Sequence, residues 1–174
     1  MSIIKPPKYV ADVMLGSLSR WLRLFGFDTL YRNDFDDKEL IKISLQQDRI
    51  LLTRDILLAK SKILKKVLLI KSEELKEQIR EVLQRIENLR DFIDLMPRCP
   101  ICNGETEYVE KSNIDTEIPD YVAMSNSYFI RCKRCGKIYW HGSHKERINR
   151  TKAEILRGLI SAGKIGRKDF EENY

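Results

Sequence analysis

Only two histidines occur in the 174 residues, His141 and His144, and no cysteine stands alone. The scarcity of histidine removes Ser–His and Cys–His catalysis from most of the chain, because that chemistry needs an imidazole beside the nucleophile. No apolar run approaches the ~20 residues that a membrane-spanning helix requires. No repeat or low-complexity tract breaks up the pattern. The N-terminal residues are polar and carry Lys5 and Lys8, unlike the apolar stretch of a secretory leader. A cytoplasmic chain with reduced thiols and no membrane partner is therefore expected.

What the chain does have is two Cys-x-x-Cys pairs, Cys99 with Cys102 and Cys132 with Cys135, separated by 29 residues. Two such pairs present four thiolates to one tetrahedral zinc ion and use up every cysteine. Two disulfides would suit a secreted chain, and redox Cys-x-x-Cys motifs usually occur singly near a β-α-β pattern. A structural Zn²⁺ held by Cys99, Cys102, Cys132 and Cys135 is the expectation. His141 and His144 are then surface residues or RNA contacts, since Cys₄ already completes the tetrahedron.

Pro97 and Pro100 flank the first pair and mark a change of character. Residues 1–96 alternate short apolar runs with helical periodicity, 97–150 form a zinc-ribbon module, and 151–174 hold a helix and a polar tail. In the first part, strands are expected at Tyr9–Val13, Asp28–Tyr31, Arg49–Thr53 and Val67–Ile70. The apolar stripe Leu15, Leu18, Leu22, Phe25 reads as a helix stopped by Gly26. A second helix is capped by Asp36 or Asp37, a short one follows residue 55, and another opens at Ser72. Strands alternating with helices imply an α/β fold with a small parallel sheet flanked by helices. Beyond Lys152, the spacing of Ile155, Leu156, Leu159 and Ile160 predicts an amphipathic helix that docks on this domain or on a partner.

In an open parallel sheet the working crevice lies outside the carboxyl ends of the strands. Asp12 ends the first strand, Asp34, Asp36 and Asp37 follow the second, and Asp55 follows the third. Clustered carboxylates repel one another unless a divalent cation joins them, and Mg²⁺ or Mn²⁺ prefers such oxygen ligands. These acids are the candidate catalytic residues: Asp12, Asp36, Asp37 and Asp55. Asp is also the usual helix cap, so one of Asp36 and Asp37 is expected to cap while the other faces the site. Arg20, Arg23 and Arg54 lie near this edge as candidate phosphate contacts, weighed against a solvated helix face for Arg23 and a local ion pair for Arg54.

Lys and Arg total 32 against 26 acids, a net charge of +6. The excess concentrates between Arg131 and Lys152, where eight basic residues face one acid, Glu146, around Tyr139, Trp140, His141 and His144. Cations follow a nucleic-acid backbone and aromatic faces accept unstacked bases. Lys133, Arg134, Trp140, His141 and His144 are the candidate RNA contacts of this module, the alternative being that the aromatics simply cover a ribbon with little core of its own.

The segment from Asp12 through Arg20 to Asp28, the run Leu51-Leu-Thr-Arg-Asp55, the paired cysteines and Tyr139-Trp-His-Gly-Ser-His144 together resemble the Mut-seven C-terminal RNase domain family over roughly residues 8–150. The resemblance implies a PIN-like α/β fold with a fused zinc ribbon. It also implies a metal-dependent ribonuclease with its acids at Asp12, Asp37 (or Asp36) and Asp55. tRNA, rRNA or a ribosome is the kind of partner implied. A non-catalytic RNA- or ribosome-binding factor on the same fold, and a DNA-directed nuclease, are the competing readings.

Overall fold

The computed structural model describes residues 5–92, 95–114, 118–140, 142–161 and 163. Four short strands lie at its centre: β1 (Tyr9–Ala11), β2 (Thr29–Leu30), β3 (Ile50–Thr53) and β4 (Val67–Leu69). They are ordered β2-β1-β3-β4, and every pairing is parallel, with Tyr9 opposite both Thr29 and Ile50. Parallel strands need cover on both faces. Side-chain alternation supplies it: Tyr9, Ala11 and Leu52 enter one apolar cluster, while Val10 and Leu51 enter another.

The helices follow from the same pattern. α1 (Gly16–Leu24) and α4 (Leu75–Leu83) bring Leu18, Leu22, Ile79, Val82 and Leu83 to the first cluster. α2 (Asp37–Gln46) and α3 (Ile56–Ala59) bring Leu40 and Leu58 to the second. The sheet is thus the middle of three layers. β1 is shorter than its apolar run suggests, because Val13–Leu15 turn into a 3₁₀ helix that leads into α1. α1 ends where expected. Gly26 has φ 91°, and a Cβ there would lie 2.4 Å from that of Leu95, so both backbone and space demand glycine. α4 begins three residues later than Ser72, whose hydroxyl accepts from the Glu74 N–H at 3.1 Å.

The C-terminal part carries an antiparallel sheet, β5 (Thr106–Val109), β6 (Phe129–Cys132) and β7 (Ile138–Trp140), in that order. Phe129 packs there with Ile114, Ile118 and Val122, the last from α5 (Asp120–Ser125). α6 runs unbroken from Ser143 to Ser161. The helix expected beyond Lys152 therefore starts earlier, and the boundary expected at residue 150 falls inside it. Ile155, Leu156 and Leu159 are fully buried in the same cluster as α1 and α4, so the C-terminal helix completes the α/β core. Among the described residues no helix is long and apolar enough to cross a membrane.

Candidate functional site

The strand order changes direction between β1 and β3, since β1 connects to β2 on one side and pairs with β3 on the other. Ligand crevices of open parallel sheets form at such points, beyond the strand ends. Asp12 follows β1 there and is 7% exposed. Its backbone N–H donates to Leu52 O at 2.9 Å, which continues the ladder with β3. Thr53, fully buried at the end of β3, donates its hydroxyl to Asp12 Oδ2 at 2.7 Å. The same hydroxyl accepts from the Asp55 N–H at 2.9 Å. One threonine therefore orients a buried carboxylate and the start of the next acidic turn. Sequence reasoning missed it, although it lies between Leu52 and Asp55 in a run already singled out. A hydroxyl ending an apolar strand was the available signal.

Asp55 caps α3: its Oδ1 accepts from the N–H groups of Leu57 at 2.6 Å and Leu58 at 3.0 Å. The choice between Asp36 and Asp37 is resolved by a capping box. Asp36 accepts from the Glu39 N–H at 2.7 Å, and Glu39 answers the Asp36 N–H at 3.4 Å. Asp37 is left as the exposed first residue of α2. Asp34 is paired with Arg32, whose hydrogen bonds hold it below the usual carboxylate range. Among the described residues, the aspartates do not form a group of three or more whose ligand atoms lie within metal-sharing distance. Asp12 and Asp55 are the pair brought together, through Thr53. Met14, two residues after Asp12, and Ile56 and Leu57, directly after Asp55, are exposed.

The arginines divide. Arg20 is exposed on α1. Arg54 pairs with Glu73 at 2.9 Å, an acid just past β4 that extends the acidic edge to a further strand end. Arg23, expected at the surface or on RNA, is instead 4% exposed. Its guanidinium donates to the backbone oxygens of Thr29 at 2.9 Å, Pro100 at 2.8 Å and Ile101 at 3.2 Å. Three carbonyls satisfy a buried fork that no phosphate can then reach.

The four cysteines are unbridged, and their sulfurs all lie within 4.8 Å of one another. Cys99 to Cys135 is 3.8 Å and Cys102 to Cys132 is 3.4 Å. A tetrahedron with Zn–S bonds of about 2.3 Å has edges of about 3.8 Å, so the donor set fits zinc. Both pairs end in the same turn, with left-handed backbone just past the second cysteine: Asn103 at φ 63° and Gly136 at φ 73°. Gly104 completes the cage, since a Cβ there would meet Cys132 Sγ at 2.8 Å. Burial pushes the Cys99 thiol up, but the Tyr139 hydroxyl at 3.0 Å and the backbone of Cys102 and Ile101 outweigh it and bring it down to about 6. Burial pushes Cys102 up to about 12.

This centre is fastened to the sheet at the strand starts, the edge opposite Asp12. Asn103 Oδ1 accepts from the Thr29 N–H at 3.0 Å, and its Nδ2 donates to Asp28 at 2.7 Å. Asp28 in turn holds Arg49 at 2.8 Å, with 7% and 18% of the Arg49 and Asp28 side chains exposed. Burial raises the Asp28 carboxyl, but Arg49 and Asn103 more than offset it and hold it below its ordinary value. Lys133 lies 4.0 Å from Glu107, Arg134 donates to Cys102 O at 3.2 Å, and Trp140 is 39% exposed. His141 lies outside the described residues, as does the side chain of His144.

A parallel three-layer α/β domain with a tightly joined four-cysteine module, its donor set fitting a metal, is the class defined by these features. The family model of the Mut7-C RNAse domain matches residues 7–152, and the chain belongs to that family. A nuclease is accordingly the class of function that membership supports. No curated protein and no solved structure matches the chain.

Proposed function

We propose that the protein is a divalent-metal-dependent endoribonuclease of PIN-like fold that works in the cytoplasm, with the zinc ribbon helping to hold RNA. The carrying observation is the Asp12–Thr53–Asp55 arrangement at the point where the strand order reverses. Mg²⁺ needs only one or two carboxylates and keeps several waters. Asp12 and Asp55 are a donor set of that kind, with Asp37 the nearest unengaged acid in the chain segment after β2. A bound Mg²⁺ or Mn²⁺ would supply activation of water and stabilisation of the leaving oxygen. The chain's own contribution is positional. Thr53 fixes which oxygen of Asp12 faces outward, and the α3 cap holds Asp55 in one rotamer. Arg20, exposed on α1, would meet a phosphate.

The test is cleavage of end-labelled single-stranded and structured RNA, and of matching DNA, with Mn²⁺, Mg²⁺ or neither. Metal-dependent cutting of RNA that disappears in Asp12→Asn and in Asp55→Asn is the expected result. Salt-sensitive RNA binding without any cutting by the wild type would favour a binding factor instead. Preferential cutting of DNA would remove the ribonuclease assignment, since only the 2′-hydroxyl separates the two substrates at a given contact.

A further inference from the structure

A cleft of about 430 Å³ lies between the sheet of the ribbon and α6, away from the acidic edge. Its size is that of a site for a small planar group. Tyr108, Tyr128 and Trp140 stand along it, and the two tyrosines are 70% and 75% exposed. Exposed tyrosines covering no core of their own are a poor structural device, but they are good platforms for a base. Lys137 and Lys145 also line the cleft, and among the described residues no acid does. Aromatic walls with cations and no acid suit an unstacked base with its phosphates.

The cleft is joined to the acidic edge by one element. Leu24, at the end of α1, lines the cleft, and the start of α1 adjoins Asp12 through the 3₁₀ turn. One face of α1 carries Ser17, Arg20 and Leu24 at helical spacing, the first two exposed and the third half-buried. Arg20 is therefore the one cation midway along that face.

We propose that the cleft captures one unstacked base of a single-stranded RNA, and that the same strand runs along the outer face of α1 to Asp12 and Asp55. The captured base then sets where the strand is cut. This rests on the nuclease reading for the cutting step, though not for the capture. The nine residues of α1 span about 14 Å at 1.5 Å per residue. At about 3.4 Å per stacked nucleotide that is roughly four nucleotides between captured base and cut.

The test uses full-length zinc-loaded protein and ten-nucleotide RNA strands that are abasic except for one uridine. Binding is read by fluorescence anisotropy with Asp12→Asn and no added divalent ion, so that no strand is cut. One uridine should tighten binding at least roughly fivefold over the fully abasic strand, the lower end of base–aromatic stacking. Tyr108→Ala and Tyr128→Ala should abolish that gain, and Tyr128→Phe should keep it. No gain from the uridine, or a gain that survives both alanine variants, overturns the capture. With wild type and Mn²⁺, moving the uridine one step should move the cut one step in the same direction. Cuts that ignore its position overturn the spacing. If the wild type cuts nothing while the uridine still tightens binding, the nuclease reading falls and takes the spacing with it, and the base capture stands.

Discussion

At the residue scale the acidic edge depends on a side chain that carries no charge. Thr53 is fully buried, and its hydroxyl both donates to Asp12 and accepts from Asp55. Thr53→Val keeps the shape and removes both bonds, leaving Asp12 Oδ2 without its donor. On the proposed function, in which Asp12 holds a divalent ion, loss of the group that orients it costs about 10–100-fold in activity or metal affinity. The expected outcome is a fall of that size in cleavage rate, with Thr53→Ser restoring most of it, while stability measured by urea unfolding drops by about 1–3 kcal/mol. Asp28 makes a different prediction. Its folded carboxyl titrates below its ordinary value of 3.8, so its contribution is present above that pH and is lost as pH falls through the lower, folded value. Wild-type stability should therefore decline below about pH 4, and Asp28→Asn should flatten that part of an acid-unfolding profile. Asp12 and Asp55 were legible in sequence because strand ends place them. Arg23 was not, because helical spacing showed a cation but not the three carbonyls, two of them more than 70 residues away, that bury it.

At the element scale the least legible piece was α6. Its first half offers Lys145, Glu146, Arg147 and Arg150 with little apolar periodicity, so only Ile155 to Ile160 advertised a helix. The helix propagates backward from that apolar half, since each added residue contributes one more backbone hydrogen bond. Its apolar half also completes the core over α1 and α4, which explains why residues so far along the chain belong to the first domain. Leu156→Ala should then destabilise the whole α/β unit by about 2–5 kcal/mol, the cost of emptying a filled core position. Urea unfolding followed at Trp21, which packs against that same core, would report it. A change smaller than about 1 kcal/mol would mean that α6 is only loosely docked. The capping box of α2 shows the opposite case. Asp36 and Glu39 sit three apart before an apolar run, and that local pattern alone determines the structure.

At the scale of the whole molecule, the four-cysteine centre and the acidic edge occupy opposite ends of one sheet. Asn103 joins the cysteine centre to the strand starts, because its left-handed backbone closes the first cysteine turn while its side chain holds the amide that begins β2. Arg23 adds a second tie, and the nearby sulfurs of Cys99 and Cys102 offset part of what burial takes from its charge. Zinc binding to four cysteines is commonly inseparable from the folding of its module. Here the module cannot loosen without releasing Thr29 and Arg23. Removing zinc with a chelator at neutral pH should therefore do more than unfold the ribbon. The loss of a few hydrogen bonds to buried groups, on the order of 2–3 kcal/mol, should lower the melting temperature of the α/β unit by about 5–10 °C in a chain of this size. Hydrogen exchange locates the effect. The Thr29 amide, held by Asn103, should exchange much faster after chelation, while that of Leu52, bonded within the centre of the sheet, should hold its protection. Faster exchange confined to residues 99–140 would mean that the metal stabilises its own module alone.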